Sequence, residues 1–298
     1  MATVNPTGRA NYEPNSWNGE MGGPRESSDG GFVSHLAEDQ GPKLRVRSET
    51  FADHYSQARQ FYVSQTPTEQ KHIASAFIFE LSKVENFAIR ARMVSHLLNV
   101  HDELADRVAQ GLRLERPKAA IPARQPRPDL KQSPALSIIR NGPESFQGRK
   151  VGVLITDGVK AELVTALRQA LEQEGALIEF VAPAIGGVEA DNGTWIKAGQ
   201  TIDGGPSVLY DAVALLMSDA GAQILANDGA TRDFISDAYM HAKFIGFVRA
   251  AQPLLAKAIG DDGHDRGFFE LDDAKQMAAF VQACRQLRFW EREDKLKQ

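Results

Sequence analysis

One candidate for a nucleophile in this sequence is a serine beside a carboxylate. Ser218 follows the apolar run DAVALLM and precedes Asp219, at the end of a predicted strand. Hydrolase or glyoxalase-type chemistry would also require a histidine near the hydroxyl, and only residues distant in sequence, such as His241 or His264, could provide it. The same pair is typical of a helix N-cap, in which serine accepts a hydrogen bond from the first helical turn. We favour the cap.

Other reactive side chains have ordinary structural interpretations. The single cysteine, Cys284, excludes an intramolecular disulfide and a cysteine-cluster metal site, and its apolar helical neighbours indicate a buried core thiol. The sequence DDGHD at residues 261–265 fits neither a calcium loop nor a histidine-based zinc motif, so an exposed acidic loop is favoured. His96 and His101 lack the i, i+4 spacing that aligns two ligands on one helical face. We therefore expect no metal site.

A cofactor or a nucleophile in an α/β fold would lie where a strand ends. The first such turn, TDGVK at residues 156–160, contains neither GxGxxG nor a phosphate-binding loop, so a nucleotide or flavin cofactor is not expected. The turn after the run FIGFV, residues 248–250, reads VRA and offers no serine or cysteine. We expect no catalytic and no cofactor-binding residue in this chain.

The elements that would position these turns form an α/β pattern from Lys150 onwards. The continuous apolar runs KVGVLIT, ALIEFVAP, DAVALLM and FIGFV are typical of buried parallel strands. Helices are predicted over 159–174 with Gly175 as the cap, through 223–226, over 231–242, around 253–259 and as one long final helix over 272–290. Asp191-Asn192-Gly193 predicts a hairpin between VEA and TWIKA. The alternation predicts a doubly wound parallel sheet, with a strand order that the sequence does not reveal.

A small helical bundle is predicted before the sheet. Three amphipathic helices lie between residues 66 and 112, and Thr66-Pro67-Thr68-Glu69 marks the first helix start with a capping residue and a proline. The apolar stripe Phe77, Phe79 and Phe87 is interpreted as core or interface. Residues 116–134 interleave prolines with Lys and Arg, which is typical of an extended, semi-rigid linker.

The composition is that of an ordinary globular protein. Of its 298 residues, 42% are hydrophobic and 24% charged, and the net charge of −5 argues against a general nucleic-acid surface. The basic run at residues 43–47 is interpreted as a solvated or paired segment. No apolar run reaches the ~18 residues of a membrane span, and the N-terminus lacks a secretory signal. We expect a cytoplasmic protein that binds neither nucleic acid nor membrane.

Five stretches of the sequence carry a resemblance to a known family. They are RANYEPNSW, GPRES, LRVRSETFADHYSQARQFYVSQTPTEQKHIASAFIFELSKV, SPALSIIRNGPESFQGRKVGVLITDG and FVQACRQLRFWERE. They resemble the region that follows the haem-bearing barrel in large-subunit catalases. The resemblance covers essentially the whole chain and implies an extended wrapping segment (1–50), a catalase-related α-helical domain (51–115), a Pro-rich linker (116–147) and a flavodoxin-like domain of the class I glutamine amidotransferase-like superfamily (148–298).

The resemblance also implies that the family's chemistry lies outside this chain, which would begin in the middle of a catalase. Intact members decompose hydrogen peroxide with haem, using a distal histidine, an asparagine and a proximal tyrosine in an RxFxY context. No tyrosine here has that context; the five are Tyr12, Tyr55, Tyr62, Tyr210 and Tyr239. Active members of the amidotransferase-like superfamily carry a nucleophilic cysteine and an acid where this chain has Val248 and Gly158. We expect no haem and no catalytic activity from the chain alone.

Three functions follow from these observations. The leading hypothesis is a noncatalytic C-terminal section of a large-subunit catalase that acts in subunit assembly and stability. Its partner would be a second copy or a catalase barrel supplied by another polypeptide, and the segment 1–50 would engage neighbouring subunits. The alternative is a chaperone-like holdase that binds unfolded clients through apolar patches. The third is residual hydrolase or glyoxalase-type activity at Ser218 and Asp219.

Overall fold

The structure is a computed structural model that describes residues 37–38 and 40–296. Most of the predicted wrapping segment, Tyr12 included, lies outside the described residues. The chain divides into two units after Ala52, and the described residues of the first unit contain a short 3-10 helix, Glu49–Ala52. The second unit begins with helices and continues with an α/β sheet. No helix among the described residues combines the length and apolar character needed to cross a membrane.

Four helices open the second unit: α1 Ser56–Ser64, α2 Pro67–Ser82, α3 Phe87–Leu97 and α4 Asp102–Gly111. Helix α2 begins where the sequence predicts. Thr66 Oγ accepts from the Glu69 N–H, and the Glu69 carboxylate accepts from the Thr66 N–H, which completes a capping box. The three helices predicted between residues 66 and 112 are confirmed as α2, α3 and α4. Helix α1 is not predicted from the sequence, because Tyr62 is its one buried hydrophobic residue and its apolar periodicity is correspondingly weak.

The four helices enclose a core of their own. Its buried members are Tyr62, Ala74, Val94, Leu97, Val100, Leu104, Ala105, Val108, Ala109 and Leu112. Helix α4 packs on both α2 and α3. The approach to α2 is close at Gly111, because a Cβ atom there would lie 2.4 Å from the Ile78 Cδ1 atom.

The proline-rich segment that follows α4 lies against the helices. The Arg127 N–H donates to Ser56 Oγ at 2.8 Å, and the Ser133 N–H donates to Ser64 Oγ at 2.9 Å. A short 3-10 helix, Pro134–Leu136, lies further along the segment. The segment is thus extended yet hydrogen-bonded to α1. The domain boundaries predicted from the sequence, after residues 50, 115 and 147, stay predictions.

Eight strands follow in the α/β domain: β1 Lys150–Ile155, β2 Leu177–Ala182, β3 Val188–Glu189, β4 Trp195–Ile196, β5 Gln200–Thr201, β6 Ala212–Leu216, β7 Ile245–Phe247 and β8 Phe268–Glu270. Six of them form one parallel sheet in the order β5-β2-β1-β6-β7-β8. Strands β3 and β4 pair antiparallel around the predicted hairpin turn. The order β2-β1-β6-β7-β8 is that of flavodoxin-like folds. The chain adds β2 on one side of β1 and later adds β6 on the other side, so the strand order reverses between β1 and β6.

Six helices belong to the described part of the α/β domain. They are α5 Ala161–Glu174, α6 Asp219–Leu225, α7 Gly229–Met240, α8 Gln252–Ile259, α9 Ala274–Cys284 and α10 Glu293–Leu296. Helix α5 packs on α9, and α7 packs on α8. Right-handed crossovers that run in opposite directions from the centre of the sheet place α5 and α7 on opposite faces. The fold class predicted from the sequence, α/β plus α, is confirmed.

The prediction of one continuous final helix over 272–290 is wrong. Helix α9 ends at Cys284, and Leu287 adopts a left-handed conformation with φ 64°. The Phe289 N–H then donates to the Ala242 carbonyl at 2.7 Å, and Arg288 donates to the Asp211 carbonyl at 3.1 Å. These tertiary hydrogen bonds turn the chain back towards the sheet, which a continuing helix could not do.

Candidate functional site

The place where a ligand would bind in this fold is the carboxyl edge of the sheet, where the strand order reverses. A cavity of about 270 Å³ lies there. The residues that line it are Gly158, Val159, Lys160, Leu163, Met217, Ser218, Asp219, Val248, Arg249, Ala250 and Asp272. Strands β1, β6 and β7 therefore bring together the turns that the sequence singles out. No histidine belongs to this lining among the described residues.

Ser218 is the N-cap of α6, as the sequence favours. Its Oγ accepts a hydrogen bond from the Gly221 N–H at 3.0 Å and donates one to the Asp157 carbonyl at 2.6 Å. The hydroxyl proton is therefore engaged with a backbone carbonyl and not with a base. Of the two proposed histidine partners, His264 stacks on the Phe268 ring, with 4.8 Å between centroids, and His241 follows the last residue of α7.

The turn after β7 carries structural contacts in place of a nucleophile. Val248 is buried, and its N–H donates to the Leu215 carbonyl at 3.0 Å. The Arg249 side chain donates to Glu270 at 2.7 Å, and this hydrogen bond raises the pKa of the guanidinium. On the opposite wall, Gly158 has φ 74°, and a Cβ atom at that position would lie 3.3 Å from Ser218 Cβ. An acidic side chain at residue 158 would therefore be both strained and crowded.

Cys284 lies in the core and not at this edge. The thiol is fully buried, and burial raises its pKa. A thiolate is thus disfavoured, which makes this cysteine a poor nucleophile.

The acidic loop at residues 261–265 is only partly as predicted. Asp261 and Asp262 are exposed, but the Asp265 carboxylate is buried and binds Arg292 through two hydrogen bonds, at 2.7 and 3.0 Å. The expectation of an exposed loop is wrong for Asp265, since its partner comes from a distant part of the chain. The described residues contain no group of three or more His, Cys, Asp or Glu side chains that could hold a metal ion.

Two buried cations in the α/β domain are not predicted from the sequence. Arg292 is fully buried, and its guanidinium lies about 5 to 6 Å from three aromatic rings. Its Nη1 donates to the Lys243 carbonyl at 2.6 Å. Lys243 is also buried, and its Nζ donates to the carbonyls of Ser207 and Tyr210. Burial lowers the pKa of Lys243 to about 8. No local pattern in the sequence distinguishes these cations from the solvated ones.

The helical domain contains a second cavity, an open apolar groove of about 350 Å³. Its lining residues are Tyr55, Ala58, Phe61, Tyr62, Ile73, Phe77, Met93, His96, Leu97, Val100 and Leu104. Tyr55 OH and His96 Nδ1 are hydrogen-bonded at 2.8 Å, so His96 is paired with a tyrosine and not with His101. Phe77 thus contributes to the groove, whereas Phe79 and Phe87 are exposed.

Two family models match the chain. One, described as catalase-related immune-responsive, matches residues 48–112, and the other, described as the C-terminal domain found in long catalases, matches residues 147–294. Together they cover more than two thirds of the 298 residues. The chain belongs to the long-catalase family. Helices α1 to α4 lie within the first match, and the sheet with α5 to α9 lies within the second.

Curated relatives agree with this assignment. Catalase C of Rhizobium meliloti is 53% identical over 298 residues, which are 100% of this chain and 42% of that protein. Catalase HPII of Pseudomonas aeruginosa is 41% identical over 98% of this chain and 41% of its own length, and Catalase-2 of Bacillus subtilis is 32% identical over 97% and 41%. The chain spans about two fifths of the length of these long catalases, and it corresponds to their C-terminal part. The resemblance found in the sequence is confirmed.

Proposed function

We propose that the chain serves a long catalase as a noncatalytic C-terminal section that contributes to subunit assembly and stability. The observation that carries this proposal is the turn after β7, where the buried Val248 occupies the position of a nucleophile. The nearby hydroxyl of Ser218 supports the same conclusion, because it caps α6 and donates to a backbone carbonyl. The α/β domain then acts as a folded module and not as a hydrolase.

The described tyrosines fit a haem ligand poorly. An iron-bound tyrosinate requires a neighbouring cation and a lowered phenol pKa. Burial instead raises the pKa of Tyr62 and Tyr239, and it raises the pKa of Tyr210 to about 12. The hydroxyl of Tyr55 is hydrogen-bonded to His96. Haem and peroxide decomposition are therefore proposed for the rest of a long catalase and not for these residues.

The helical domain offers the surface that we propose for the catalase partner. Phe79 and Phe87 are 62% and 64% exposed, and each lies under a cation, Lys83 or Arg90. The apolar groove between the helices adds a concave surface of the kind that receives an apolar anchor residue. We therefore propose that this domain contacts the part of a long catalase that precedes it.

The assembly role can be tested by adding the chain to a long catalase truncated before the matching region. We expect a complex in light scattering and a higher melting temperature of the truncated catalase. The Phe79→Glu/Phe87→Glu variant should weaken the complex, because both charges would enter an apolar contact. The matched control is Ile138→Glu, since Ile138 is 82% exposed and lies outside the helices. A complex that both variants form equally well would show that the helical surface is not the contact.

The lack of catalysis can be tested separately with the purified chain. Absorbance is recorded before and after addition of haemin, and oxygen release from peroxide is measured in the same samples. We expect no stoichiometric Soret band and no oxygen. A stoichiometric band with rapid oxygen release would overturn the proposal.

A chaperone-like holdase is the second candidate, and the open apolar groove is the observation that favours it. The test is light scattering of a heat-aggregating client with and without an equimolar amount of the chain. Suppression that is lost in Phe77→Asp, which places a charge in the groove, would support a holdase. Absence of suppression would remove this candidate.

A further inference from the structure

The last described residues of the chain connect the α/β domain with the helical domain. Residues 290–296 comprise a short 3-10 helix, Trp290–Arg292, and α10. We refer to them as the C-terminal strap. Their contacts fall into two groups: Glu291 and Arg292 bind residues of the α/β domain, and Trp290, Glu293 and Asp294 contact α2.

The anchor of the strap is Arg292. Its guanidinium is fully buried, hydrogen-bonded to Asp265 and to the Lys243 carbonyl, and packed against the Phe289 ring. If this arginine left the core, the Asp265 carboxylate would remain buried without its partner, which is strongly unfavourable. The position of residue 292 is therefore fixed to the α/β domain, and residues 293 and 294 begin from a fixed point.

The outer contacts are polar side-chain pairs with residues in the first half of α2. Glu293 Oε1 lies 2.6 Å from His72 Nε2, and Asp294 Oδ1 lies 2.5 Å from Lys71 Nζ. The Trp290 ring also meets the His72 ring edge-on, with centroids 5.6 Å apart. Residues separated by more than 200 positions in the sequence thus meet at one face of α2.

The two polar contacts differ in how strongly water weakens them. The Lys71 and Asp294 side chains are 41% and 70% exposed, so their pair is a surface pair of small net effect. The His72 and Glu293 side chains are 39% and 16% exposed, so the two contacts differ mainly on the acidic side, and His72 also packs on Trp290. Lower exposure reduces screening, so the His72–Glu293 contact contributes most.

We propose that the C-terminal strap fixes the orientation of the helical domain relative to the α/β domain. The chain connection between the domains, residues 113–149, is largely irregular and bonded to the helices at Ser56, Ser64 and Glu69. The far end of that connection is anchored in the α/β domain, where Phe146 is buried in the core and its N–H donates to Glu174 at 2.8 Å. The strap supplies a second connection, which starts in the core of the α/β domain. Two connections between two bodies restrict rotation that one connection permits.

The test measures the distance between the domains in the full chain by pulsed dipolar spectroscopy. Nitroxide labels are attached at Ser75→Cys on α2 and Gln169→Cys on α5, both of which are exposed positions. The native Cys284 is buried and does not compete for the label. We expect a single narrow distance distribution in this labelled parent.

Glu293→Gln/Asp294→Asn should broaden the distribution and lower the ratio of native to displaced distances by about fivefold, the upper end of the range for polar pairs near the surface. The matched control is Glu291→Gln, because Glu291 belongs to the same strap but pairs with Arg266 of the α/β domain. His72→Gln/Lys71→Gln provides the reciprocal change from the α2 side. Far-UV circular dichroism confirms that each variant is folded.

The single variants separate the two contacts. Glu293→Gln alone should reproduce most of the broadening, whereas Asp294→Asn alone should change little. The proposal is overturned if both double variants keep the narrow distribution of the parent. It is also overturned if Glu291→Gln broadens the distribution as much as the double variants do, since the effect would then not depend on contacts with α2.

Discussion

Glu69 is the residue whose removal should most weaken the attachment of the connecting segment to the helical domain. Its carboxylate accepts four hydrogen bonds, from the Thr66 N–H and hydroxyl, the Ser137 hydroxyl and the Ile139 N–H. Burial alone would raise its pKa, but the hydrogen bonds outweigh burial and lower the pKa from 4.5 to about 2. The ionised form is therefore strongly preferred in the folded state.

The magnitude follows from the size of this pKa shift. A difference of about 2.5 pKa units corresponds to about 3 kcal/mol of folding free energy, and partial exposure of Glu69 reduces this to about 2 kcal/mol. In Glu69→Gln one carboxylate oxygen becomes an amide NH₂, which cannot accept from the Ile139 N–H. We expect a loss of about 2 kcal/mol, or a fall in melting temperature of about 4 to 8 °C.

The assay is urea denaturation followed by far-UV circular dichroism at several pH values. Because the folded pKa is lowered, the contribution is fully present above the unfolded value of about 4.5 and is lost as the pH falls towards about 2. The difference between wild type and Glu69→Gln should shrink over that interval. Glu80→Gln is the matched control on α2, because the Glu80 side chain is 69% exposed and pairs only at the surface, with the C-cap residue Lys83. Equal effects of the two substitutions at neutral pH would refute the reasoning.

Three further predictions concern the α/β domain and can be checked by the same denaturation assay. Arg292→Met should cost about 3 to 5 kcal/mol because Asp265 is left buried without its partner, and adding Asp265→Asn should restore part of the loss; equal stability of the single and double variants would contradict this. Lys243 has its pKa lowered to about 8 by burial, so the unfolded chain binds the extra proton between about pH 8 and 10.5. Wild type should therefore gain stability relative to Lys243→Met as the pH rises through that window, and a flat difference would count against the burial argument. Ser218→Ala should cost about 1 kcal/mol through the lost cap of α6, and a cost near zero would mean that the cap contributes nothing.

The parts of the fold that could be predicted from the sequence have local causes. The capping box at Thr66 and Glu69 requires only the residues of one helical turn, and it marks the start of α2 correctly. The continuous apolar run of β1 is a direct consequence of burial on both faces of the sheet. Ser218 could be assigned as a cap because its position before α6 is itself the physical reason for the hydrogen bond.

The parts that could not be predicted depend on residues far apart in the chain. The apolar pattern of α9 continues beyond Cys284, so a longer helix is the natural expectation from the sequence. The helix ends because Arg288 and Phe289 bond to Asp211 and Ala242, which the pattern does not contain. Strand β8 is three residues long, and its pairing with β7 is the main evidence for it.

The position of the perturbed groups in the sheet supports the structural role proposed for the α/β domain. Groups with shifted pKa values tend to lie at functional sites, and in open parallel sheets such sites lie at the carboxyl ends of the strands. Lys243 instead comes just before β7, and its two acceptor carbonyls, of Ser207 and Tyr210, come just before β6. The buried polar network of the domain is thus at the amino ends, where it ties the chain segments that enter the sheet. The carboxyl edge carries Val248, a capping serine and Arg249, whose raised pKa comes from a surface ion pair with Glu270 and not from a buried site. An enzyme of this fold would have the opposite distribution, so the electrostatics of this domain favour stability over chemistry.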